Sequence, residues 1–102
     1  MLDLRPNCEL CDKDLPPDSD DAHICTYECT FCSKCVKDVL KNVCPNCGGG
    51  FTHRPIRPSN AHRPGVSLIH QPASIERVHS KRSLKDIQTF SEALKDIGPR
   101  DR

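Results

Sequence analysis

Eight cysteines are the residues of this chain best suited to do chemistry, and they come in four closely spaced pairs. The pairs are Cys8 with Cys11, Cys25 with Cys29, Cys32 with Cys35, and Cys44 with Cys47. Each pair can direct both sulfurs at one metal ion, and four thiolates complete a tetrahedral site that leaves no position for water or substrate. The cysteines therefore predict two closed Zn²⁺ sites, with iron as the competing metal. Because every thiol is then committed to a structural site, we predict no catalytic residues and no enzyme activity.

The spacing of the pairs allows two ways of sharing them between two ions. In a sequential arrangement, the first two pairs share one ion and the last two pairs share the other. In an interleaved arrangement, the first and third pairs form site 1, and the second and fourth pairs form site 2. The residues alone do not choose between these arrangements. His23, which lies just before Cys25, is an alternative ligand if the register differs.

The segments that must position these thiols are poor in apolar side chains. All eight cysteines lie in residues 1–51, which are too few and too polar to fold on a hydrophobic core alone and need cross-links. No signal-peptide pattern opens the chain, and no segment is long enough to span a bilayer. These features predict a cytoplasmic protein whose thiols stay reduced and bind metal, with a secreted disulfide scaffold as the alternative.

The order of the cysteines resembles the RING finger family. Those domains carry a CxxC pair, a long loop, a Cys and a His, two closely spaced Cys, a second loop and a final Cys-Pro-x-Cys. This chain matches that order, with Cys29 at the usual His position, Phe31 as the aromatic before the fifth ligand, and Pro45 in the last pair. LIM domains share part of the spacing but usually have longer loops.

The apolar residues between the third and fourth pairs fit the same resemblance. Val36, Val39, Leu40 and Val43 recur at helical spacing and predict a short amphipathic helix, where RING fingers also have one. The resemblance thus implies a small zinc-stabilised α+β fold, a cross-brace with a short β-hairpin and one short helix. It assigns the ligands of site 1 as Cys8, Cys11, Cys32 and Cys35, and those of site 2 as Cys25, Cys29, Cys44 and Cys47.

A more specific resemblance is to DUF1272, a small bacterial cysteine-rich family known as a domain of unknown function. The stretches that carry it are Arg5-Pro6-Asn7-Cys8, Cys11-Asp12-Lys13-Asp14-Leu15-Pro16-Pro17, Glu28-Cys29-Thr30-Phe31-Cys32 and Cys44-Pro45-Asn46-Cys47-Gly48-Gly49. This resemblance implies zinc and a bacterial origin, and it brings no activity with it.

Three functions are compatible with these patterns. The leading hypothesis is a non-catalytic protein-interaction or adaptor module. The second is a RING-type ubiquitin-ligase-like protein, in which Leu10 and Pro45 would match the residues that dock a conjugating enzyme. The chain has no Trp to complete that docking groove, and Gly48 stands where an Arg often follows the last ligand. The third is a regulatory or nucleic-acid-associated zinc protein.

The second half of the chain differs from the first in composition and charge. Residues 1–50 carry a net charge of −4 and residues 51–102 carry +5. Each four-thiolate zinc site would add about −2 to the first half, which disfavours nucleic acid as its partner. Residues 52–79 are rich in Pro, Arg and His and predict a flexible linker.

The last segment, residues 80–102, predicts an amphipathic helix at about 83–97. Its apolar residues recur at spacings of three and four: Leu84, Ile87, Phe90, Leu94 and Ile97. Ser83 can cap the start, and Gly98-Pro99 can stop the helix. A helix this short is marginal in water, so the stripe needs a surface on its own domain, on a second copy or on a partner. We expect a protein partner at this stripe or at Leu10 and Pro45 of the zinc loops.

Overall fold

A β-hairpin forms around the loop that carries the second cysteine pair. In the computed structural model, which describes residues 1–102, β1 (Ala22–Ile24) pairs antiparallel with β2 (Thr30–Cys32). A third strand, β3 (Thr52–His53), pairs antiparallel with the other edge of β1, so the sheet order is β2-β1-β3. The expected hairpin is present within a small α+β fold.

The short helix predicted after the third cysteine pair exists, but its boundaries differ. Helix α1 (Ser33–Asp38) follows β2 directly and ends before Val39. Lys41 and Asn42 then adopt left-handed backbone angles, with φ of 51° and 60°, which turn the chain back. This turn buries Leu40 within the core, so the apolar spacing is satisfied by a short helix and a tight turn together.

Cysteines make up much of the buried core. Six of the eleven residues in the main buried cluster are cysteines. The largest apolar members are Leu15, Phe31, Leu40 and Ile87. Phe31 also meets the edge of Phe51, with ring centroids 5.4 Å apart. The thiols therefore stand where a larger domain would place aliphatic side chains, as expected if cross-links replace part of the core.

Residues after the sheet lie against the cysteine-rich half. The strap, which we define as residues 74–82, runs beside residues 4–9. Asn7 Nδ2 donates to the Val78 carbonyl at 2.9 Å, and the Val78 amide donates to Asn7 Oδ1 at 3.1 Å. The Ser80 amide donates to the Glu9 carbonyl at 2.8 Å. These bonds attach the strap to the first cysteine pair. The flexibility expected of residues 52–79 and the domain boundary expected at residue 51 stay predictions.

Arg54 anchors the chain just after β3. Its side chain is buried, and its guanidinium donates to the carbonyls of Arg5 at 2.8 Å, Leu15 at 3.2 Å and Pro16 at 3.0 Å. Burial lowers the Arg54 pKa, because no carboxylate contacts the cation directly. This one side chain joins the end of the sheet to the two segments that flank the first cysteine pair.

The C-terminal helix packs on its own domain. Helix α2 (Leu84–Leu94) begins at Ser83, whose hydroxyl accepts the Asp86 amide at 3.1 Å, as the capping pattern predicts. Ile87 and Ser91 are buried, and Ser91 Oγ donates to the Leu40 carbonyl at 2.9 Å. The helix is shorter than predicted: residues 95–97 form a turn in which the Ile97 amide donates to the Leu94 carbonyl at 3.0 Å, and a 3-10 turn follows at Pro99–Asp101. Other stripe residues stay substantially exposed: Leu84 at 54%, Phe90 at 37% and Ile97 at 39%.

Candidate metal centres

The first group of cysteines brings together the first and third pairs of the sequence. We call Cys8, Cys11, Cys32 and Cys35 the first group, because all four sulfurs lie within 4.8 Å of one another. The sulfurs of Cys11 and Cys32 are 3.7 Å apart. Two thiolates bound tetrahedrally to one zinc ion at about 2.3 Å would be about 3.8 Å apart. The donor set and its spacing therefore fit a metal ion.

The second group contains three of the four remaining cysteines. Cys25, Cys44 and Cys47 have their sulfurs within 4.8 Å of one another. Cys29 does not join the group at that distance, although its thiol interacts with those of Cys44 and Cys25. Three thiols with a fourth beside them could also hold a metal ion, so the structure has two places where one could bind.

The hairpin places the second and third cysteine pairs at opposite ends of β1. Cys25 follows one end of β1, whereas Cys32 lies opposite Ala22 at the other end of that strand. Because strands rise about 3.3 Å per residue, these two ends are about 10 Å apart, too far for their thiols to bind one ion. Cys32 instead meets the turn at Cys8, and Cys25 meets the turn at Cys44.

Two turns of equivalent geometry present the first and fourth cysteine pairs. We call them the first knuckle (residues 8–13) and the second knuckle (residues 44–49). In the first, the Asp12 amide donates to the Cys8 carbonyl at 3.0 Å, and in the second the Gly48 amide donates to the Cys44 carbonyl at 2.8 Å. Asp12 and Gly48 both have left-handed backbone angles, with φ of 65° and 78°. Equivalent turns leave one buried and one exposed thiol in each pair.

Hydrogen-bond donors point at the sulfurs of the second pair and the second knuckle. The Tyr27 amide donates to Cys25 Sγ at 3.3 Å, and the Gly49 amide donates to Cys47 Sγ at 3.4 Å. Asn46 Nδ2 donates to Cys29 Sγ at 3.4 Å. Donors of this kind stabilise a thiolate more than a thiol, which favours metal binding.

Close contacts give unequal pKa values to the thiols of the second group and Cys29. The neighbouring thiol of Cys44 lowers the pKa of Cys29 to about 5, with Asn46 as a further cause, and the same contact raises the pKa of Cys44. Burial raises the pKa of Cys25 to about 11. Four close thiolates repel one another in the absence of a cation, so a metal that binds here must displace protons from the high-pKa thiols.

The first-site thiols show the same division. Burial raises the pKa of Cys8 and of Cys35. Burial acts in the same direction on Cys11, but the Lys13 amide and the neighbouring thiols outweigh it and lower the pKa of Cys11. Each group thus favours some ionised and some protonated thiols, and a divalent ion would stabilise the fully ionised set.

The buried carboxylate of Glu9 connects the first knuckle to the start of β2. Glu9, inside the first knuckle, is only 2% exposed and accepts a hydrogen bond from Arg5 at 2.9 Å. The same carboxylate accepts the amide of Thr30, the residue after Cys29. Burial raises the pKa of Glu9, although the bonds from Thr30 and Arg5 oppose this. Sequence reasoning missed Glu9, Arg5 and Asn46, because their roles depend on contacts that cysteine spacing does not encode.

The other residues singled out in the sequence lie away from the thiols or inside the fold. His23 belongs to neither cysteine group, and its ring packs at a tilt against that of His53, with centroids 4.3 Å apart. Leu10 is partly buried and Pro45 is buried. None of the helices has the length and apolar character needed to cross a bilayer.

Comparison with known proteins places the chain in a family. Residues 1–57 match the model of a family described as a protein of unknown function, DUF1272. An uncharacterized protein of Rhizobium meliloti (strain 1021) is 56% identical over 78 residues, which cover 76% of this chain and 86% of that relative. No solved structure matches the chain significantly. The matched residues include all eight cysteines, and the chain belongs to the DUF1272 family.

Proposed function

We propose that the protein is a zinc-binding, non-catalytic interaction module of the bacterial cytoplasm. In this proposal the eight cysteines hold two Zn²⁺ ions in an interleaved, RING-like cross-brace. The observation that carries it is the grouping of Cys8 and Cys11 with Cys32 and Cys35 at distances that suit one ion. Site 2 combines the second group with Cys29, whose thiol lies beside Cys44 and Cys25.

The donor set supports zinc and a structural role. Four thiolates bind Zn²⁺ in a closed tetrahedron, which leaves no position where a water molecule could be activated. Thiolates also bind iron, so the metal must be measured. A reducing compartment such as the cytoplasm would keep these thiols available to the metal.

Metal analysis beside native mass spectrometry tests the zinc proposal. We expect two zinc ions per chain in protein purified from cells grown without added metal. Because the buried core consists largely of cysteines, a strong chelator should also abolish cooperative unfolding. Stoichiometric iron, disulfide-bonded cysteines, or a cooperative transition that persists after chelation would each refute the proposal.

Helix α2 is the better of the two proposed partner surfaces. Pro45 is buried and Leu10 is partly buried, so the zinc-loop residues offer little apolar surface to a partner. Leu84 and Phe90 of the helix are 54% and 37% exposed although the helix already packs on its domain. An exposed apolar edge beside a docked helix suits a protein partner that extends the same contact.

A binding assay with matched variants tests this surface. Leu84→Glu places a charge on the exposed edge of α2, and Ile75→Glu places the same charge on an apolar residue outside the helix that is 91% exposed. We expect a partner captured by the parent protein to be lost with Leu84→Glu and kept with Ile75→Glu. A partner that binds both variants equally would exclude the helix as its surface.

The burial of Pro45 also weighs against the ligase-like alternative. A conjugating enzyme that docked through Leu10 and Pro45 would need the second of these residues at the surface. The nucleic-acid alternative gains no support from the tail arginines. Arg54 is buried, and Arg77 contacts Asp12 at 2.8 Å and Asp14 at 2.7 Å, so these cations are already occupied within the chain.

A further inference from the structure

Cys29 differs from the other seven cysteines in its surroundings. It is the one cysteine that stands outside the two close sulfur groups. Its sulfur accepts a hydrogen bond from a side-chain amide, Nδ2 of Asn46, at 3.4 Å. Asn46 lies between Cys44 and Cys47 in the second knuckle, so this bond links Cys29 to the turn that carries two of its neighbours.

A residue of the strap fixes the orientation of that amide. Arg82 Nε donates to Asn46 Oδ1 at 3.1 Å. With its oxygen held by a donor, the amide must present Nδ2 on its other side, where Cys29 lies. A rotated amide would direct its oxygen at a thiolate and repel it. The hydrogen bonds from Arg82 to Asn46 and from Asn46 to Cys29 therefore select the orientation of the Asn46 amide that stabilises an ionised sulfur.

Other side chains of residues 82–102 contact the second knuckle and the turn that precedes it. Arg102 Nη1 donates to the carbonyls of Gly48 at 3.0 Å and Asn42 at 2.8 Å. The side chains of Phe90 and Leu94 lie against Gly48, since a Cβ built there would be 3.5 Å and 3.2 Å from them. Side chains of residues 82–102 thus contact the second knuckle at the Asn46 amide, at the Gly48 carbonyl and at the Gly48 Cα.

We propose that Asn46 and Arg82 are positioning residues that hold Cys29 as the fourth ligand of site 2. The inference rests on the proposed zinc function and deepens it, because it makes the metal affinity of one site depend on a segment outside the cysteine-rich half. Groups that hold metal ligands in place typically contribute 10- to 100-fold to metal affinity. Loss of the Asn46 amide should therefore weaken site 2 by about 10-fold or more, and leave site 1 unchanged.

Three variants of the full chain separate positioning from packing. Asn46→Ala removes the donor, and Arg82→Met removes the group that orients it. Asn46→Asp keeps the size of the side chain but directs a carboxylate at the sulfur. Because Asn46 is exposed, a packing role would tolerate Asp, whereas positioning predicts that Asp weakens site 2 more than Ala does. Arg100→Met is the matched control, since Arg100 is an exposed arginine of the same segment.

Partial chelation followed by alkylation and peptide mapping is the measurement. Each zinc-loaded protein is exposed to a limiting chelator and then to iodoacetamide, and native mass spectrometry counts the ions that remain. In Asn46→Ala, we expect iodoacetamide to label the cysteines of site 2 first while those of site 1 stay protected. Arg82→Met should show the same preference more weakly. Arg100→Met should behave as the parent protein does.

The outcomes distinguish this inference from the zinc proposal. A parent protein that does not hold two zinc ions would refute the proposed function. If the parent protein holds two zinc ions, the inference alone would be overturned by either of two results for Asn46→Ala. Both ions could be lost at the parent rate, or both could be lost at an equally increased rate. An Asn46→Asp protein whose site 2 matches the parent would also overturn it.

Discussion

Replacing Ile87 with alanine tests whether α2 belongs to the folded domain. Ile87 is 1% exposed and belongs to the same buried cluster as Leu40 and Cys44. Its truncation removes three buried carbon atoms from a position where the helix meets the core. Such Ile-to-Ala changes cost about 2–5 kcal/mol, and we expect about 3 kcal/mol here, since the site lies under a single helix.

Because Ile87 and Ser91 are the only buried residues of α2, the loss should appear first as local opening of this helix. Amide hydrogen exchange measures this opening, and the Lys95 amide, which donates to the Ser91 carbonyl at 2.8 Å, is a suitable probe. A cost of about 3 kcal/mol corresponds to exchange roughly 100-fold faster in α2. The amides of β1 and β2 should change much less, because the sheet lies in the cysteine-rich half.

Leu84→Ala is the control for Ile87→Ala. Leu84 is on the same helix but 54% exposed, so its truncation should change α2 exchange by less than about 3-fold. The reasoning is refuted if Ile87→Ala leaves α2 protection unchanged. It is also refuted if the strands lose as much protection as the helix, because the helix would then not open as a separate unit.

Three further substitutions probe the turns and clamps around the metal centres, each followed by urea unfolding at fixed free zinc. Gly48→Ala should lower the free energy of unfolding by about 2 kcal/mol, because the new Cβ is strained at φ of 78° and lies 3.2 Å from Leu94. Gly65→Ala is the control and should cost about 1 kcal/mol, since its φ is 82° but no atom lies within 4 Å of the new Cβ. Equal costs for the two variants would contradict the packing at Gly48. Arg54→Met should cost about 3 kcal/mol, since it leaves three buried or partly buried carbonyls without their donor; a neutral result would show that water replaces the guanidinium. Hydrogen bonds from Lys13 and then Ser33 lower the pKa of Asp21 to about 2. The carboxylate therefore stabilises the fold above about pH 4, and this effect is lost as the pH falls toward 2. Asp21→Asn should cost about 1 kcal/mol of unfolding free energy near neutral pH. Asp20→Asn, at the exposed neighbouring position, should have little effect, and equal losses for the two variants would indicate a general charge effect.

The cysteine pairs and the terminal helix could be predicted from sequence because they depend on local spacing. Two cysteines separated by two residues form a turn that directs both sulfurs to one side, and the pairs at Cys8 and Cys44 do so with equivalent hydrogen bonds. Ser83 before an apolar stripe marks a helix start for a similarly local reason, namely that its hydroxyl can accept the Asp86 amide. Such features need no knowledge of the rest of the fold.

The end of α1 was not readable in the same way. Val39, Leu40 and Val43 continue a helical spacing, yet the helix ends at Asp38. The left-handed angles at Lys41 and Asn42 turn the chain so that Cys44 reaches the second group. Apolar spacing could not reveal this, because burial of the same side chains is achieved by a turn as well as by a helix.

By itself, the sequence determined that eight thiols would come in four local pairs and that an amphipathic helix would follow a cysteine-rich half. Only the tertiary structure decided which pairs meet. The hairpin places Cys25 and Cys32 at opposite ends of β1, and packing brings the first knuckle to the Cys32 end and the second knuckle to the Cys25 end. It also brought Arg54, Asn46 and Arg82 to their hydrogen-bond partners, which lie 17 to 49 residues away along the chain. Long-range contacts of this kind depend on how the segments pack, and no local pattern of residue types specifies them.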